Sequence, residues 1–124
     1  MDPMPTTDSV ARQGEQLAAV TNGIVRLFRE YYGRGPDKAK SYLLDDHIVV
    51  CVLENTMTTV EQTLVKCGEH GMVRQVRLRF QEAMADEFTS VVEKAMGRGV
   101  AAYHSQLTME PDIGFEFFVL EDQP

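Results

Sequence analysis

Tryptophan is absent from the 124 residues, and cysteine occurs only at Cys51 and Cys67. Two cysteines make no disulfide framework, and their spacing fits no zinc pattern. Cys51 lies in an apolar run, where a thiol behaves as a small buried hydrophobe. No stretch approaches the roughly 18 apolar residues of a membrane-spanning helix. Basic residues are scarce as well: 12 Lys and Arg stand against 19 Asp and Glu, a net charge of −7. That balance argues against general nucleic-acid binding, which needs a cationic surface to meet the phosphates. It argues equally against broad adhesion to an anionic membrane. The opening residues MDPMPTTDSV have neither the positive start nor the apolar run of a signal peptide. The chain is therefore expected in the cytoplasm, peripheral to a membrane only through a protein partner and without direct membrane insertion.

What is present suits one ordinary domain. Hydrophobic residues make up 44% of the chain and charged residues 25%, enough for a core without disulfide or metal staples. Residues 1–7, with Pro3 and Pro5, read as a disordered tail, and 8–124 as a single domain. Thr7, Asp8 and Ser9 offer caps for a first helix. Val10, Leu17, Val20, Ile24, Leu27, Phe28 and Tyr31 then recur at helical spacing. Gly23 inside that helix marks a close approach to another element. Gly33-Arg34-Gly35-Pro36 ends it, since glycine supplies a left-handed cap and proline forbids continuation. Strands over Ala39–Leu44 and Ile48–Glu54 form a hairpin around Asp45, Asp46 and His47.

Thr58-Thr59-Val60-Glu61 is a capping-box pattern that opens a short helix ending at Gly68. A long helix runs from about Gly71 to Met96, with the stripe Val73, Val76, Phe80, Met84, Phe88, Val91 and Ala95. Strands over Val100–Thr108 and Ile113–Leu120 close the chain as a second hairpin. The order αββααββ predicts an α+β fold, a four-stranded antiparallel sheet with helices packed on one face. Every position of Ile48–Leu53 is apolar, which implies cover on both faces of that strand. One chain this size supplies helices for one face only, so a homodimer is expected.

The chemistry-bearing residues are few. Gly33-Arg34-Gly35-Pro36 follows a helix rather than opening one, so free carbonyls, not amides, face its end, and a C-cap explains the glycines better than a phosphate cradle. A basic patch of Arg34, Lys38 and Lys40 beside Tyr31 and Tyr32, joined by Arg77, is the candidate for binding an anion or a partner. Arg74, Arg77 and Arg79 otherwise read as a solvated helix face. His47, His70 and His104 show no tight ligand spacing, so no metal is expected. Asp45-Asp46 reads as a solvated turn. Cys51 with His104 shows no sign of a nucleophile and base, and no P-loop or dinucleotide fingerprint occurs. No catalytic residue and no cofactor is expected.

Four stretches carry a resemblance: NGIVRLFREYYGRGPDKAKSYLLDD from Asn22 to Asp46, VVCVLENTMTTVEQTLV from Val49 to Val65, VRQVRLRFQEAM from Val73 to Met84, and FFVLE near the end. The pattern resembles the MpsC-like family of small bacterial domains, from about Gly14 to Glu121. Thr59 stands where a proline is expected at the first turn of the helix; either suits that position. The family is named for a sodium-translocating, membrane-potential-generating system associated with inorganic-carbon (bicarbonate) supply. The resemblance implies a non-catalytic accessory or regulatory module, the partner of a membrane transporter subunit. The alternative is a stand-alone sensor of a small anion using Arg34, Lys38, Lys40 and Arg77.

Overall fold

The computed structural model describes residues 7–122 and contains the expected elements in the expected order. They are α1 (Thr7–Tyr32), β1 (Lys38–Leu44), β2 (Ile48–Glu54), α2 (Thr59–Lys66), α3 (His70–Met96), β3 (Val100–Met109) and β4 (Asp112–Leu120). Apart from Thr7, which opens α1, the tail expected over residues 1–7 lies outside the described residues, as do residues 123–124. Helix α1 stops where the glycine requires: Gly33 sits at φ 80°, and its N–H donates to the Arg29 carbonyl at 3.1 Å. The hairpin between β1 and β2 turns through Asp45 and Asp46, both at φ 52°, a conformation that aspartate tolerates better than most residues.

The sheet order is β1-β2-β4-β3, and each neighbouring pair is antiparallel. The two hairpins thus meet through β2 and β4. These inner strands hold most of the apolar residues. The edge strands carry polar ones, among them Lys38 and Lys40 on β1 and His104, Gln106 and Thr108 on β3, which blunt edges otherwise open to further pairing.

Alternation sorts the sheet into two faces. On the inner face Val49 opposes Phe118, Cys51 opposes Glu116, and Leu53 opposes Gly114. On the outer face Val50 opposes Phe117 and Val52 opposes Phe115. Helices α1 and α3 lie on the inner face. The core joins Val20, Ile24, Leu27 and Phe28 of α1, Met84, Phe88, Val92 and Met96 of α3, and Val49, Cys51, Leu53, Phe118 and Leu120 of the sheet. Phe88 links the layers, with ring centroids 5.8 Å from Phe28 and 6.1 Å from Tyr103. No described element covers the outer face, so the second cover expected for β2 does not come from residues 7–122.

The stripe of α3 needs one correction. Val76 is 49% exposed, and Arg77 turns inward in its place, between buried Val73 and the Phe80–Met84 turn. Apolar spacing alone cannot foresee this, because Arg77 is drawn in by a charge on another helix.

Gly23 makes the close approach expected of it. A Cβ there would fall 2.5 Å from Cγ1 of Val91 on α3. Gly14, by contrast, has nothing within 4 Å of the same position. Alanine at Gly14 should stabilise the fold by about 1 kcal/mol through helix propensity. Alanine at Gly23 should destabilise it by about 1–3 kcal/mol, since β-branched Val91 has little rotamer freedom with which to yield. Urea unfolding of the two variants checks this, and equal effects would contradict the α1–α3 contact.

Candidate functional site

Polar groups converge where α2, α3 and the inner sheet face meet. The capping box of α2 forms as the sequence implies: Glu61 N–H donates to Thr58 Oγ1 at 3.2 Å, and Thr58 N–H donates to Glu61 Oε1 at 2.9 Å. Glu61 has a second task. Arg77 grips it with two bonds, Nε to Oε2 at 2.6 Å and Nη2 to Oε1 at 2.8 Å. Nη2 also donates to the Thr56 carbonyl at 3.1 Å. The Tyr32 ring lies under the guanidinium, 4.4 Å from its centre, so the cation is stacked as well as paired.

This pair is largely withdrawn from water, with side chains 13% and 6% exposed. Burial alone would raise the Glu61 carboxyl, but the bonds from Arg77 and Thr58 outweigh it and hold it below its ordinary value. Burial likewise opposes the charge on Arg77, and Glu61 restores it and more. The network extends to β4: Thr56 Oγ1 donates to Asp112 Oδ1 at 3.1 Å, and Met57 N–H donates to Asp112 Oδ2 at 2.8 Å.

A second carboxyl, Glu116, lies beside this pair on the inner face of β4 and is 4% exposed. Its oxygens accept from Tyr103 Oη at 2.8 Å and Ser105 Oγ at 3.0 Å. Among the described residues no cation bonds to it. Burial pushes its pKa up to about 7, with the two hydroxyls and Arg77 only partly opposing that rise. Glu116, Arg77 and Ser105 border a cleft of about 210 Å³ between α3 and the β3–β4 hairpin. Phe28, Leu78 and Leu107 give it apolar walls, and Arg74, Gln81 and Gln106 give it polar ones.

Of the residues singled out from the sequence, the structure brings together Tyr32 and Arg77. Arg34 is engaged elsewhere: it donates to the carbonyls of Met57 at 2.9 Å and Asn55 at 3.0 Å and lies 3.8 Å from Asp37. It staples the loop after β2 to the end of α1. Lys38 and Lys40 are exposed on the outer sheet face, where Lys40 Nζ sits 5.2 Å from the centre of the Tyr42 ring. The five residues therefore do not form one patch.

Cys51 is buried as read, and burial pushes its thiol up to about 12. It lies on the inner face and His104 on the outer face, so the two do not meet. Among the described residues no cluster of three His, Cys, Asp or Glu could hold a metal ion.

Sequence reasoning did not single out Glu116 and Glu61 as site residues. The signal for Glu116 was there: alternation places it on the same face as Phe118 and Leu120. Glu61 was read as a cap alone, and its partner sixteen positions away gives no local sign.

Fold and site together define a small α+β domain, its sheet covered on one face and holding a buried carboxyl at the edge of a cleft. The chain belongs to the MpsC family, described as a Na+-translocating membrane potential-generating system, whose model matches residues 12–122. No curated protein and no solved structure matches the chain. Among the described residues no helix is long and apolar enough to cross a membrane.

Glu116 gives stability a defined pH dependence. The folded chain holds a proton on Glu116 that the unfolded chain releases above its ordinary value of 4.5. The folded state thus binds more protons between about 4.5 and 7, and the Glu116 contribution falls as pH rises through that window. Glu116→Gln should remove the effect, since the Tyr103 and Ser105 hydroxyls can serve an amide equally well. The variant should gain about 2–3 kcal/mol over wild type at pH 8 and little at pH 4. Urea unfolding at both values checks this, and an equal difference at the two would contradict it.

Proposed function

We propose that the chain is a non-catalytic accessory or regulatory module of a Na+-translocating membrane system, working as a homodimer joined through the outer face of its sheet. The family's description supports the link to a Na+-translocating membrane system. The described helices, none of them able to cross a membrane, are consistent with leaving ion conduction to other subunits.

The open outer face carries the binding role. Ile48, Val50 and Val52 of β2 and Phe115, Phe117 and Val119 of β4 run down its centre, with Tyr42 and Leu44 beside them. A contiguous apolar face of this kind marks an interaction surface.

A second copy is the occupant that fits. Rotation about a two-fold axis along the strands sets β2 over β4 and β1 over β3. Lys38 and Lys40 then meet the polar residues of β3 rather than each other. The face bears Lys38 and Lys40 against Glu54, whereas the whole chain carries −7, so two acidic copies repel least here. Four strands of seven to ten residues present a footprint of roughly 500 Å² at ordinary strand spacing. Two such faces reach the roughly 1,000 Å² that a specific interface needs.

Sedimentation equilibrium should find a dimer for wild type and a folded monomer for Phe117→Lys. Inverted membrane vesicles from cells lacking the chain should lose most of their sodium-driven potential, regaining it with wild type and not with Phe117→Lys. Lone molecules at high concentration would overturn the dimer, and a potential indifferent to the chain would overturn the accessory role.

A further inference from the structure

We propose that the cleft between α3 and the β3–β4 hairpin binds a small organic carboxylate, gripped by Arg77 and Arg74 and seated with its apolar end against Phe28, Leu78 and Leu107. The inference is independent of how the chain associates. It starts from the donors that the fold leaves over. Arg77 spends Nε and Nη2 on Glu61 and Thr56 and meets the Tyr32 side chain as well; among the described residues Nη1 has no carboxylate or carbonyl partner. Arg77 borders the cleft, so the guanidinium edge that Glu61 does not hold is placed to meet a ligand there.

Arg74, one turn earlier on the same helix, borders the same cleft, is exposed and makes no ion pair among the described residues. Glu61 already balances Arg77, so the Arg74 guanidinium beside a Glu116 that holds its proton at pH 6 favours an anion over a cation. Planar bidentate donors match a carboxylate in particular. The Glu61 bonds and the Tyr32 ring already fix Arg77, so little freedom is lost when a ligand arrives.

Gly114 is the second observation. It lies within β4, where glycine weakens a strand. Its φ is not in the left-handed region, and a Cβ would meet only Thr56 Cγ2 at 3.7 Å and Leu53 at 3.9 Å, ordinary contacts. The fold does not require glycine here, and its missing side chain leaves depth to a cleft that it borders. At about 210 Å³ the space falls below the roughly 300–1,000 Å³ typical of drug-sized ligands. It suits an acid of about ten heavy atoms or fewer, with its hydrocarbon end on the apolar walls.

Glu116 fits the same occupant. With its proton on, it does not repel a carboxylate. The charged and titratable groups around it are Arg77 of α3, Tyr103 of β3, Tyr32 of α1 and Cys51 of β2. The tyrosines and the cysteine are all pushed upward by burial, so Glu116 is the group among them that titrates near neutrality.

The test is amide NMR titration of the whole chain at pH 6 with butyrate and benzoate, beside butyramide, butylamine and inorganic phosphate. The two carboxylates should saturate and shift the amides of Ser105 and Gly114, and the other probes should not. Arg74→Ala should weaken carboxylate binding about tenfold. Gly114→Val, which fills the cleft from its floor, should abolish binding while the unliganded Tm holds or rises. Wild-type affinity should fall about tenfold between pH 6 and pH 8, and Glu116→Gln should flatten that profile. No saturable carboxylate binding would overturn the proposal, as would binding unaffected by both Arg74→Ala and Gly114→Val. A preference for the amine or for phosphate would overturn it equally.

Discussion

The bidentate pair between Arg77 and Glu61 is the interaction on which the rest of the inner layer depends. It fastens α2 to α3 and, through Thr56, ties both to the loop after β2 and to Asp112 at the head of β4. A buried charge pair is not stabilising by default, because desolvating two ions costs several kcal/mol apiece. Here the geometry offsets that cost: two bonds between the charges, a carbonyl for a third N–H, and an aromatic ring beneath the cation. Removing either partner would strand the other in a medium that cannot solvate it. The pair also sets the direction of the guanidinium at the border of the cleft.

The two faces of the sheet have different fates. The inner face is sealed by α1 and α3 except at the cleft, where Glu116 and Gly114 replace the apolar residues that alternation would otherwise supply. The outer face is apolar along β2 and β4 and polar along β1 and β3, and no described element covers it. In a chain with a net charge of −7, that face sets Lys38 and Lys40 against Glu54, so charge does not oppose association there. Membership of the MpsC family gives both features a setting, a Na+-translocating membrane potential-generating system. The proposed interface and the proposed ligand site would together suit the domain to reporting on such a system.

Much of the fold was legible because its signals are local. Gly33 and Pro36 stop α1 through backbone conformation alone. Thr58 and Glu61 announce α2 by their spacing. Asp45 and Asp46 turn the first hairpin because aspartate accepts positive φ. Even the buried state of Cys51 followed from its neighbours in β2. The strand order β1-β2-β4-β3 was not legible, since pairing of β2 with β4 is a long-range choice made by the packing of α2 and α3. The inward turn of Arg77 was hidden for the same reason. Spacing on α3 favoured Val76 for the interior, and only a carboxylate on another helix reverses that preference. The grouping of Arg34, Lys38 and Lys40 assumed that basic residues near in sequence meet in space, and Arg77 was added on the expectation that the two long helices lie side by side. In the structure Arg34 serves loop carbonyls, and the lysines lie on the face opposite Arg77.

A double-mutant cycle on Arg77 and Glu61 tests the central interaction most directly. Arg77→Met and Glu61→Gln should each lower the unfolding free energy by about 3–5 kcal/mol, because each leaves its partner buried and unmatched. The double variant should recover at least about 2 kcal/mol of the summed loss. Additive losses would show that the two charges do not depend on each other, and that some other contact holds α2 against α3.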